Sequence, residues 1–179
     1  SVGALINLVH GLIAPEGVET EHPGVRHIPV KKYAGRFSRM TRTAWQVYRE
    51  ALKVRAGLYH FHDPELIPVA LLLKTRGYRV IYDIHEDLPR QVLEKHWIHP
   101  FLRRLISFLC ERAESAAAKR FDALVTVTER IAGRFSTYNP QIRILYNYPL
   151  LSEVPEPSDW GRKGTQVCYA GGITVIRGM

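Results

Sequence analysis

Short, almost wholly apolar runs alternate along this chain with longer stretches in which apolar residues recur every three or four positions. The first kind predicts strands, the second amphipathic helices. VGALINLV (Val2 to Val9) reads as a buried strand ended by His10-Gly11, and Gly17 to Gly24 as a polar, acidic turn region. VRHIPV (Val25 to Val30) alternates like a strand near a sheet edge. From about Ser38, Met40, Ala44, Val47, Ala51 and Val54 recur at helical spacing, and Gly57 is expected to close that helix. GLYHFH (Gly57 to His62) predicts a strand. Asp63-Pro64-Glu65 then predicts a helix start, with Asp63 as the N-cap and the helix running to Arg76 before Gly77. RVIYDIHE (Arg79 to Glu86) predicts the next strand. A helix of about twenty residues follows Pro100, with Leu102, Ile106, Leu109, Ala113 and Ala117 expected to face the core. ALVTVT (Ala123 to Thr128), a short helix near Glu129 to Phe135 and IRILYN (Ile142 to Asn147) complete the series.

Apolar strands alternating with helices predict an α/β fold: a doubly wound, Rossmann-like parallel sheet covered on both faces. Residues 1–148 are expected to form that domain. Residues 149–164 are rich in proline and charge and read as a linker, and residues 165–179 as the opening of a second domain. The opening apolar stretch carries no basic region before it and no cleavage-like end, so it reads as a strand rather than a leader.

Composition narrows the class. An apolar content of 46% and a formal charge of +8 in 179 residues describe a globular protein whose surface favours anionic partners. No run reaches the ~20 apolar residues that span a bilayer. Cys110 and Cys168 form no CxxC pair, so reduced thiols and a cytoplasmic location are expected.

The chemistry gathers at the strand ends, where open parallel sheets bind ligands. His62-Asp63 ends one predicted strand; Asp83, His85, Glu86 and Asp87 end the next. Side chains alternate, so His60 and His62 share a face of the first strand, as Asp83 and His85 do of the second. Three readings fit this grouping. Asp63 and Glu65 can be helix-start residues and His60 a hydrogen-bonded core histidine. His60, His62 and His85 can hold a metal in a hydrolase. Or carboxylates and neutral imidazoles beside helix starts can line a crevice for a polyol or phosphosugar.

YHFHDPELIPVALLLKTRGYRVIYDIHEDLPRQVL, ERAESAAAKRFDALVTVTERIAGRF, ILYNYP and YAGGITVIRG together resemble the group 1 glycosyl transferases of family four, retaining enzymes of GT-B architecture. The likeness is dense from Gly57 onward and looser before it. It implies that residues 1–148 are most of the acceptor-binding domain, with the family's first strand and helix missing, and that GGITVIRG opens the nucleotide-sugar domain. It further implies transfer of a sugar from a nucleotide sugar to a hydroxyl acceptor, sugar or lipid-linked, with neither cofactor nor metal. The chain alone is then expected to be inactive.

By the same resemblance, His85 matches the family's histidine that faces the donor sugar. His62, Asp63, Asp83, Glu86 and Asp87 are the candidates for substrate binding around it. Gly171, Gly172 and Arg177 stand at the donor-phosphate grip, where Gly172 occupies a place that is basic in the family. A non-catalytic Rossmann-like binding module is the alternative from another class. A dinucleotide oxidoreductase is disfavoured, since no GxGxxG follows an early strand.

Lys31 to Arg55 carries eight Lys or Arg against one Glu, with Tyr33, Phe37, Trp45 and Tyr48 among them. Such a mixture suits a helix lying on an anionic membrane surface, and equally an ordinary helix with a solvated basic face. No nucleic-acid-binding signature accompanies the charge.

Overall fold

In the computed structural model, the residues described are 11–15, 26–31, 33–148, 152, 161 and 164–165. The strand expected at Val2 to Val9 and the turn at Gly17 to Gly24 lie outside them, as do nearly all of the linker and the second-domain opening. Strand β1 is Gly11–Pro15, beginning where the sequence suggested a strand would stop. Leu-Ile-Ala continues the apolar run past Gly11, and a glycine at a strand's first position interrupts nothing. β1 pairs in parallel with β2 (Arg26–Val30), Gly11 opposite Arg26.

A helical turn at Arg36–Ser38 and a π-helical turn at Arg39–Thr43 lead into α1, Ala44–Val54. Its buried residues are Ala44, Tyr48 and Ala51, while Met40 stays exposed. Arg55, at φ 50° and ψ 44°, ends this helix, not Gly57. The Arg55 N–H still donates to the Ala51 carbonyl, 3.1 Å away, and the left-handed backbone then turns the chain out of the helix.

Four parallel strands follow in the order β3-β4-β5-β6: Leu58–Phe61, Arg79–Ile84, Ala123–Thr126 and Ile142–Ile144. Between β3 and β4 run a 3-10 turn, Pro64–Leu66, and α2, Ile67–Thr75. Asp63 occupies the cap position with extended backbone, but its side chain makes no capping hydrogen bond. The first turn is 3-10, and there the Asp63 carbonyl accepts from Leu66 N (2.9 Å). α3 (Leu88–Leu93) and α4 (Pro100–Ala118) fill the crossover from β4 to β5, and α5 (Glu129–Phe135) the one from β5 to β6. Thr128 caps α5 by accepting from Ile131 N. The result is an α/β fold of the Rossmann-like kind.

Because the strands advance one place at a time in one direction, right-handed crossovers put these helices on one face. Val80, Tyr82, Ile84, Leu124 and Phe135 are sealed there, each contributing roughly 1.5–3 kcal/mol of apolar burial. Phe61 stacks on Tyr82 at 4.7 Å, with Phe121 edge-on to both. Asp122 pins the β4 entry by accepting from Val80 N (2.6 Å) and from Lys74 Nζ. Buried Asn139 donates to the Ala118 and Phe121 carbonyls, 2.9 Å each, and accepts from Gln141 N.

α4 departs most from its sequence pattern. Of the five residues expected to face the core, Ala117 alone is buried; Leu102, Ile106, Leu109 and Ala113 are exposed. The inner face is instead Ser107, Glu114, Ser115, Ala117 and Ala118. Small residues let the helix approach its neighbours, and hydrogen bonds hold it: Ser107 Oγ donates to the Pro89 carbonyl (2.8 Å), and Glu114 accepts from Tyr82. Periodicity identifies a stripe of bulky apolar residues but not what faces it.

Candidate functional site

Parallel register sets Phe61 opposite Tyr82, so the residues just past β3 and β4 emerge at one carboxyl edge. His62 and Asp63 leave β3 there, and His85, Glu86 and Asp87 leave β4. Alternation separates two faces. Tyr82 points to the helices, where its hydroxyl donates to Glu114 Oε1 at 3.2 Å. Asp83 points to the opposite face together with His60.

Asp83 is the centre of the grouping. Its Oδ2 lies 3.3 Å from His60 Nε2 and 3.1 Å from His85 Nε2. The carboxylate side chain is only 15% exposed, whereas each imidazole is about half exposed (51% and 49%). Burial opposes ionisation of Asp83, but the hydrogen bonds from His60 and His85 outweigh it and leave its carboxyl below the usual range. Oδ1 is buried and has no hydrogen-bond partner among the described residues. The His62 ring meets the His85 ring nearly edge-on, centroids 6.0 Å apart. Thus the histidines at 60, 62 and 85 are neighbours, as the alternation predicts, and the first and last are oriented by one acid. Among the described residues no group of three or more His, Cys, Asp or Glu side chains is arranged to hold a metal ion.

The other carboxylates divide. Asp63 and Glu86 are exposed at the edge. Asp87 is engaged: Arg134 Nη1 donates to its Oδ1 at 2.6 Å, and Arg90 Nε lies 3.2 Å from Oδ2. Arg134 also reaches Glu114 Oε2 with its second terminal nitrogen. Burial raises the Glu114 carboxyl, with the Arg134 guanidinium offsetting part of that rise, and it pushes the Tyr82 hydroxyl up as well. A buried ionic chain, Asp87–Arg134–Glu114–Tyr82, therefore ties the loop after β4 to α4 and α5. Sequence reasoning missed Arg134 and Glu114. The one available signal was a lone acid among the small residues of α4, which is legible only once that stripe is known to face inward. Gly171, Gly172 and Arg177 lie outside the described residues.

A family model, the glycosyl transferase 4-like domain, matches residues 9–148. The chain belongs to that family. The match spans every strand and helix described above, and it agrees with the resemblance carried by the sequence from Gly57 to Tyr148; the stretch YAGGITVIRG lies outside it. A search of curated proteins finds no match to the chain. A glycosyl transferase 4-like domain implies a transferase with a sugar donor and an acceptor, and the Asp83 grouping lies where open parallel sheets present ligand sites. Among the described residues, no helix is long and apolar enough to cross a membrane.

Proposed function

We propose that this chain forms the acceptor side of a retaining sugar transfer, from a nucleotide sugar to the hydroxyl of a sugar or lipid-linked acceptor, in surface polysaccharide or glycolipid synthesis. The observation that carries the reading is Asp83 holding His85 at the carboxyl edge of the sheet in a domain of this family. With Nε2–H donating to Asp83, the imidazole of His85 in its neutral form has Nδ1 left as an acceptor. A hydroxyl of the bound sugar donates to it. Asp83 thereby fixes the tautomer, much as an outer carboxylate orients a histidine elsewhere. Exposed Glu86, Asp63 and His62 offer further hydroxyl contacts, while Asp87 acts through Arg134 by holding the loop.

In the scheme, the bond from the anomeric carbon to the donor phosphate breaks and the bond to the acceptor oxygen forms on the same face. The acceptor proton passes to the departing phosphate oxygen, so this half need supply no base. Arg177 and the backbone at Gly171-Gly172 are assigned to the growing negative charge on the diphosphate, which lowers the barrier. The scheme calls for no metal. The basic, aromatic stretch Lys31 to Arg55 fits a cytoplasmic protein held at the inner membrane face, where lipid-linked acceptors lie. Phe37 and Trp45 of that stretch are exposed.

The test is a panel of nucleotide sugars offered to the natural protein that carries this sequence, with nucleoside diphosphate release measured and product configuration read by NMR. Retention with one preferred donor is expected. Inverted product, or no donor consumed with any acceptor, would reject the reading.

A further inference from the structure

The outer surface of α4 is built the wrong way round for a helix meeting water. Phe101, Leu105, Phe108 and Leu109 recur at helical spacing on the side away from the sheet, with Leu102 beside them and Trp97 just before the helix. Trp97 and Phe101 are 70% and 69% exposed, and Phe108 57%. From Phe101 to Leu109 the row runs about 12 Å along the first half of this 19-residue helix. Isolated exposed apolar residues are ordinary, whereas a continuous row with aromatics at one end marks an interaction surface.

Charge identifies the occupant. Arg112 sits within the row, its guanidinium over the Phe108 ring at 6.0 Å, and exposed Arg104 borders it. From Leu88 to Arg120 basic residues outnumber acidic ones by seven to three, and one of those three, Glu114, is already paired with Arg134. A two-fold contact with a second copy would bring these cations face to face. An anionic bilayer receives both features: phosphates meet the arginines, while Trp97, Phe101 and the leucines enter the headgroup boundary. The face is also part of a broader layer, because α2 packs between α1 and α4. Exposed Leu72 of α2 and Trp45 of α1 belong to that layer.

We infer that the α3–α4 hairpin is a membrane-docking surface, in which α4 lies in the plane of an anionic leaflet. This deepens the reading of a membrane-presented acceptor, and it moves the main contact from Lys31–Arg55 to α4.

Co-sedimentation of the full chain with phosphatidylcholine vesicles, with and without about a third phosphatidylglycerol, tests the inference without donor or acceptor. Binding to the anionic vesicles is expected. Leu105→Glu with Leu109→Glu should weaken it about tenfold or more while circular dichroism stays unchanged, since both residues are exposed. Trp45→Ser should weaken it far less. With Trp45 and Trp160 replaced by Phe, Trp97 fluorescence should shift to the blue on vesicles and be quenched by brominated lipid. Absence of vesicle binding, binding indifferent to the paired glutamates, or a dimer that those glutamates dissociate would each overturn the inference. Binding as described by a protein that transfers no sugar would sustain it and reject the transferase reading alone.

Discussion

Asp83 holds His85 through a 3.1 Å contact from its Oδ2 to the imidazole Nε2, and the same oxygen meets His60 at 3.3 Å. One acid thus orients two rings at the edge where the family's substrates are expected.

Replacing Asp83 with Asn should therefore change the pH dependence of stability on the acid side. The folded carboxyl titrates below its ordinary value of 3.8, so its contribution is fully present above that value. It is lost as pH falls through the lower, folded value. Urea melts of wild type and Asp83→Asn should differ most from about pH 5 upward and converge below about pH 4. A difference that grows toward acid would mean that the imidazoles do not stabilise the carboxylate.

Arg134→Ala should be among the most damaging single changes outside the apolar core. It strands Glu114, whose side chain is 2% exposed, and it frees Asp87. Removing one member of a buried pair costs about 3–5 kcal/mol. Pairing Arg134→Met with Glu114→Leu should recover much of that loss, because no charge is then left buried. Chemical denaturation of the parent and the two variants measures both effects.

Asn139→Ala removes a side chain that satisfies two carbonyls and one N–H between α4, β5 and β6. Leaving those groups unpaired should cost about 2–3 kcal/mol in the same assay.

Arg55→Gly should stabilise the protein. The left-handed conformation of Arg55 costs roughly 1–2 kcal/mol for a residue with a Cβ, and glycine adopts it freely. A rise in melting temperature of a few degrees is expected. A fall would show that the Arg55 side chain contributes more than its backbone costs.

The strands and their order of succession were legible because parallel strands buried on the helix face and partly covered on the other write themselves as largely apolar runs. Arg79–Ile84 and Ala123–Thr126 each lie within the run that predicted them. The neighbourhood of His60, His62, Asp83 and His85 followed from two-residue alternation once β3 and β4 proved adjacent. The orientation of α4 did not follow, since small inward residues such as Ala117 and Ala118 carry little pattern and its bulky residues pointed elsewhere. Arg134 was unreadable for a related reason: its partners Asp87 and Glu114 lie 47 and 20 positions away, joined only by the crossovers. Gly57 gave way to Arg55 because a cap is chosen by where the helix leaves its packing, and Ala51 is the last fully buried residue before it.

The most direct test of the assigned site is acceptor-dependent transfer by the natural protein and its His85→Ala form, each with its best nucleotide sugar. Loss of about a hundredfold or more in kcat/KM, with the melting temperature held within a few degrees because the ring is half exposed, is the predicted result. Turnover by the alanine form equal to that of the parent would contradict it, and would take His85 and the acid that holds it out of the sugar-transfer site.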